Sequence, residues 1–163
     1  MIIVVMGVAG AGKTTVGRAL ADRLGWPFAD ADAYHADEAV AKMARGESLA
    51  EADRGPWLDR LHALIVAHVV EGRPLVLACS ALKRRYRERL AEPGGPVRFV
   101  WLDAPPDTLA KRLRTRAGHF AGPGLLDGQL AALEPPADAL HLDAREPPER
   151  LVEVVLDAFD LGR

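Results

Sequence analysis

Residues 2–15 run Ile2-Ile3-Val4-Val5-Met6-Gly7-Val8-Ala9-Gly10-Ala11-Gly12-Lys13-Thr14-Thr15. The first five are apolar, mostly β-branched and without polar alternation, which suits a strand buried on both faces of a parallel sheet. Gly7 to Thr14 then match the pattern G-x-x-x-x-G-K-[ST] in full. The glycines let the backbone curl so that successive N–H groups point inward at an anion. Val16, Ala19, Leu20, Arg23 and Leu24 recur at helical spacing up to Gly25, so a helix starts at the loop and adds its positive end. Gly7, Val8, Ala9, Gly10, Ala11 and Gly12 are therefore expected to wrap a nucleoside triphosphate. Lys13 would reach its β- and γ-phosphates, Thr14 would ligate Mg²⁺, and Thr15 would touch the α-phosphate.

Outward from that loop, strand and helix signals alternate. Trp26 to Asp30 is a second short strand ending in acid. Residues 35–45 are helical up to Gly46. A long amphipathic helix begins near Trp57 and runs to Gly72. Pro74 to Cys79 is a buried strand with a basic helix, about residues 81–91, behind it. Val97–Leu102 is a strand, residues 106–116 a helix, 125–133 a short helix, 139–142 a weak last strand, and Leu151 to Phe159 mark a closing helix. This alternation implies an α/β domain, residues 1–163, with a parallel five-stranded sheet and helices on both faces. Ligands of such sheets bind beyond the carboxyl ends of the strands.

Composition narrows the function. The chain has 163 residues, 49% hydrophobic and 27% charged, with a formal net charge of −2. Such a balance argues against a protein held on nucleic acid by a basic surface. The single cysteine, Cys79, cannot form an internal disulfide. The apolar start is too short to span a membrane and has no positive region before it, so the expectation is a cytoplasmic protein with no membrane association.

The strand at 74–79 ends in Cys79-Ser80 and offers no acid for a metal, whereas Asp30-Ala31-Asp32 offers two. On an extended stretch residues two apart point the same way. One acid could serve the metal and the other an incoming hydroxyl, as phosphoryl transfer requires.

Further blocks carry a resemblance. They are Met6 to Thr14, Asp30-Ala-Asp-Ala-Tyr-His35, Lys42-Met43, Gly46, Asp53-Arg54 with Pro56-Trp57-Leu58, Cys79-Ser-Ala-Leu-Lys83 with Tyr86-Arg87, and Arg116 with Gly118-His119-Phe120. Leu125-Leu-Asp127, Gln129 and Leu133-Glu-Pro-Pro136 complete the set. In these the chain resembles the gluconokinases, small P-loop kinases that phosphorylate D-gluconate. The resemblance implies a three-layer α/β/α P-loop kinase fold like that of nucleoside monophosphate kinases, with a lid at about residues 116–134. It implies ATP and Mg²⁺, D-gluconate as acceptor, 6-phospho-D-gluconate and ADP as products, and a cytoplasmic homodimer.

Within that frame Asp32 is assigned to the attacking hydroxyl, and Asp30 joins Thr14 at the metal. Arg54 is the first candidate for the substrate carboxylate, because its fork matches two oxygens. Lys83 and Arg87, one turn apart, are the next; Arg84, Arg85 and Arg89 are assigned to a solvated face. His35 and His119 are further substrate candidates. Arg116 is expected on the transferring phosphoryl group, Arg112 near the base, and the backbone of 143–147 around the adenine. Shikimate kinase, a close rival, usually has a Gly-rich segment where this chain has Cys79 to Lys83. A regulatory GTPase would need an Asn-Lys-x-Asp motif, which is absent. A non-catalytic ATP-binding module would leave the paired acids without a task.

Overall fold

A computed structural model describes residues 1–47, 49–92, 95–115 and 123–162. Its five strands are β1 (Ile2–Met6), β2 (Phe28–Asp30), β3 (Leu75–Ala78), β4 (Val97–Asp103) and β5 (Leu140–Asp143). They form one sheet in the order β2-β3-β1-β4-β5, and every pairing is parallel. The helices are α1 (Lys13–Leu24), α2 (Asp37–Ala44), α3 (Glu51–Val70), α4 (Arg84–Ala91), α5 (Pro106–Thr115), α6 (Pro123–Ala132) and α7 (Pro148–Ala158).

The unbroken apolar run of β1 follows from its central place, with β3 on one side and β4 on the other. Successive side chains of a strand face opposite ways. Ile3 and Val5 accordingly join Val16 and Leu20 of α1 and Leu151 and Val155 of α7 in one core. Ile2, Val4 and Met6 join Trp57, Leu61 and Ile65 of α3 and Leu90 of α4 in the other. Each fully buried aliphatic side chain of this kind stabilises the fold by about 1.5–3 kcal/mol. Helices therefore cover both faces, and the strand ends remain clear for a site.

Two elements differ from the sequence expectation. Helix α3 starts at Glu51, six residues before Trp57, and carries Pro56 within its second turn. The Asp53 carboxylate accepts from the Ala50 N–H at 2.9 Å, which satisfies a donor that the helix start leaves open. Residues Ala31–Tyr34 form a 3-10 turn rather than extended chain, so the two-residue periodicity that would align Asp30 with Asp32 does not hold. Asp30 caps that turn instead.

Candidate active site

The phosphate loop joins β1 to α1 at the carboxyl edge of the sheet. Gly7 has φ 153, and a Cβ there would lie 2.7 Å from the Leu102 carbonyl oxygen, so the loop leaves the sheet too tightly for any side chain. Gly12 has φ 98 and caps α1 with no side-chain hydrogen bond to the helix start. A left-handed cap without side chain leaves the first amides of α1 accessible to an anion. Lys13 Nζ donates to the Val8 carbonyl oxygen at 3.1 Å, which folds the side chain back across the loop.

Two contacts brace this loop from outside. The Ala9 N–H donates to Gln129 Oε1 of α6 at 2.6 Å. Arg112 of α5 donates to the carbonyls of Gly10 (3.3 Å) and Ala11 (3.4 Å) with one nitrogen and to that of Ala144 (2.5 Å) with the other. Arg112 thus ties the loop to the segment after β5, the stretch expected around the adenine.

The acids lie opposite. Thr14 Oγ1 donates to Asp30 Oδ2 at 2.8 Å, while Asp30 Oδ1 accepts from the Asp32 N–H at 3.0 Å. The hydroxyl and carboxylate that the sequence pairs for a metal are in contact, and Asp32 is exposed beside them. Hard oxygen donors of this kind fit Mg²⁺. Among the described residues no group of three or more His, Cys, Asp or Glu could hold a metal by itself.

Helix α3 fixes the next stretch of wall. Trp57 Nε1 donates to the Ala31 carbonyl oxygen at 2.7 Å, and Arg60 donates to that of Tyr34 at 3.0 Å. His35 stacks on Trp57 with ring centroids 4.7 Å apart and planes 6° from parallel. Its Nδ1 is buried with no hydrogen-bond partner. Burial lowers the His35 pKa below its ordinary 6.5, with Arg54 and Arg60 lowering it further and Asp32 opposing. His35 is therefore neutral at physiological pH, with an orphaned ring nitrogen close to the acids.

Beyond His35 lies a cluster of cations. Glu51 Oε1 accepts from Arg85 Nη2 at 2.5 Å and from the Tyr86 hydroxyl at 2.8 Å, with Arg54 at 3.7 Å and Lys83 at 3.8 Å. The Tyr86 hydroxyl first, then Arg85, Lys83 and Arg54, hold the Glu51 carboxyl below the usual carboxylate range. Arg54 and Lys83, twenty-nine positions apart in sequence and separate candidates there, therefore come together around Glu51.

Arg87 does not join them. Its guanidinium is buried and donates to the carbonyls of Ala81 (2.7 Å), Leu82 (3.1 Å) and Glu134 (2.8 Å). A guanidinium has no acceptor and all its donors need partners when buried, so Arg87 pins the chain after β3 to the chain after α6 rather than meeting a substrate. Arg85, assigned from sequence to the solvated face, is the residue that turns to the cluster. Glu51 and Tyr86 as its centre were missed, because a helix expected to start near Trp57 left Glu51 in a connection. Cys79 is fully buried and its thiol is pushed up to about 12, which excludes a nucleophilic role. Arg116 and His119 lie outside the described residues.

Comparison with known proteins agrees with this geometry. A family model described as an AAA domain matches residues 2–136. The gluconokinase of Gluconobacter oxydans is 44% identical over 160 residues, covering 96% of this chain and 90% of that protein. The crystal structure of a sugar kinase from Janibacter sp. HTCC2649 superposes with a TM-score of 0.89 at 44% identity, covering 98% of this chain and 94% of that one. The crystal structure of a gluconokinase from Sinorhizobium meliloti superposes with a TM-score of 0.86 at 39% identity, covering 97% and 90%. With a phosphate loop braced against an acid-bearing turn, and with relatives matching over nearly its whole length, the chain belongs to the gluconokinase family of P-loop kinases.

Proposed function

We propose that the protein transfers the γ-phosphoryl group of ATP to the 6-hydroxyl of D-gluconate, giving 6-phospho-D-gluconate and ADP. The observation that carries this reading is the Thr14–Asp30 contact at 2.8 Å. It sets the phosphate loop against the acids, so donor and acceptor would meet between them. The membership of the chain in the gluconokinase family supports gluconate as acceptor.

In this reading the loop amides and Lys13 hold the β- and γ-phosphates, and Thr15 lies at the α-phosphate. Arg112 stands beside the adenine, between the loop and Ala144. Thr14 and Asp30 are the residues that would hold Mg²⁺, which when bound neutralises phosphate charge. Asp32 accepts a hydrogen bond from the attacking hydroxyl and orients it. A loose phosphoryl-transfer transition state asks more for positioning than for a strong base. His35, neutral and stacked on Trp57 next to the turn that carries the acids, suits a sugar hydroxyl. The carboxylate of gluconate lies at the other end of its carbon chain from the reacting hydroxyl, so its site should lie away from the phosphates. Arg54 and Lys83 supply that site. Arg116 on the transferring group and His119 on the substrate complete the proposal, as parts of a lid over about residues 116–134. A homodimer in the cytoplasm belongs to the same reading. Among the described residues no helix is long and apolar enough to cross a membrane.

A coupled ADP-release assay across D-gluconate, related aldonates and shikimate tests it. Turnover is expected with gluconate above the others. A preference for shikimate, or ADP release indifferent to the acceptor, would overturn it.

A further inference from the structure

Three cations and a phenol converge on Glu51, and the manner of their convergence is unusual. For all four the nearest contact is to one oxygen, Oε1. Only Arg85 and Tyr86 reach hydrogen-bond distance; Arg54 and Lys83 stand off at 3.7 and 3.8 Å. The Glu51 side chain is 55% exposed. A neighbouring pair shows what a structural ion pair in this region looks like. Lys42 Nζ contacts both oxygens of Asp53, at 2.9 and 3.2 Å. Asp53 also caps α3 through Ala50, and its side chain is 14% exposed. The cluster around Glu51 is cation-rich and under-filled by comparison, since an arginine fork is satisfied by two carboxylate oxygens.

The cluster is also continuous with the acceptor wall. Arg54 lies on α3 three residues before Trp57, whose ring stacks on His35, and His35 ends the turn that holds Asp32. A carboxylate held among Arg54, Lys83 and Arg85 therefore lies along the same wall as the residue assigned to the reacting hydroxyl.

We infer that Glu51 is a resident stand-in for the substrate's carboxylate: it occupies the Arg54–Lys83–Arg85–Tyr86 site in the empty enzyme and is displaced when a sugar acid binds. The inference rests on the reading of the protein as a gluconate kinase and extends it. It adds Arg85 and Tyr86 to the anion site. It makes Glu51 a specificity-determining residue, because a neutral polyol of the same shape cannot replace the charge that Glu51 withdraws. An acid able to bring two oxygens gains the cluster, and a ligand without a carboxylate leaves Glu51 in place.

Steady-state kinetics on the full chain, varying D-gluconate at saturating ATP, test this with Glu51→Gln and Glu88→Gln. Glutamine keeps an acceptor for Tyr86 but gives up the charge. Glu88 pairs with Arg84 on the same helix rather than with the groups around Glu51, and its replacement makes the same change in net charge. Glu51→Gln is expected to lower the KM for gluconate about threefold, the scale of an exposed ion pair. The kcat and the KM for ATP should hold, and Glu88→Gln should leave all three in place. A raised gluconate KM in Glu51→Gln would show Glu51 serving the substrate directly, and an equal fall in Glu88→Gln would reduce the effect to net charge; either overturns the inference while the kinase reading stands. Absence of gluconate turnover in the unmodified protein would instead remove the kinase reading, and this inference with it. A crystal structure with gluconate bound gives an independent check: Glu51 should have left Arg85 and Tyr86, and a Glu51 still seated on both would refute displacement.

Discussion

The two walls of the cleft are built on different principles. The phosphate wall is backbone: a glycine-shaped loop, the start of α1, and carbonyls tied down by Arg112. The proposed acceptor wall is side chain: Asp32, His35, Arg54, Lys83 and Arg85 come from three separate stretches, through exposed or half-buried groups. A backbone site is fixed by the fold and recognises what all nucleoside triphosphates share. A side-chain site can change its occupant at the cost of a few exposed ion pairs, each worth about 0.2–1 kcal/mol. On the proposed reading, nucleotide recognition would sit in the scaffold and acceptor choice in residues that can be exchanged without disturbing it.

The sharpest way to break that contrast is Lys13→Ala. Lys13, the charged side chain of the loop assigned to the β- and γ-phosphates, should carry transition-state charge, so kcat should fall by about 10³-fold or more while the circular dichroism spectrum and thermal midpoint hold. Turnover near normal would overturn the loop's assigned role. Asp32→Asn should lower kcat by about 10²-fold, with the KM for ATP unchanged in the same titration. A near-normal rate would remove Asp32 from the mechanism. Arg54→Ala should act on the acceptor alone, raising the KM for gluconate about tenfold, as loss of a charge-assisted hydrogen bond of about 1.5–3 kcal/mol would. A change confined to the KM for ATP would dissolve the distinction between the walls.

The smallest effect concerns His35 and pH. Its pKa is lowered by burial from 6.5, so the unfolded chain binds a proton below that pH while the folded chain resists it. Stability should then rise with pH up to about 6.5 and fall as pH drops toward the folded value. Urea unfolding at pH 8 and pH 5.5 should show His35→Phe, which keeps a ring on Trp57, losing less stability on acidification than the unmodified protein. Equal losses would show that His35 titrates normally.

Much of this was legible in the sequence because it rests on local rules. Buried parallel strands announce themselves as unalternating apolar runs, as at Ile2–Met6, and a phosphate loop is a contiguous pattern whose geometry its glycines dictate. The acceptor wall is assembled from distant residues, and there only candidates were available. Arg85 and Arg87 are two apart on one short helix. Which of them turns inward depends on three carbonyls, two in the turn at Ala81 and Leu82 and one at Glu134, and no periodicity encodes that. The apolar periodicity of α3 opens only at Trp57, whereas its first turn, Glu51 to Arg54, is polar and carries no such signal. With the true start at Glu51, the carboxylate at the centre of the cation cluster becomes visible.

Trp57 has a consequence of its own. Its indole N–H is held by the Ala31 carbonyl oxygen, between the two acids, and its face is covered by His35. Of the chain's three tryptophans it is the one seated against the acceptor wall, buried and held at both its polar and its aromatic contacts. Indole emission responds to nearby charge and to the imidazole stacked on it. The protein therefore carries a native fluorophore at its acceptor wall, through which the arrival of a sugar acid becomes an optical signal with no label attached.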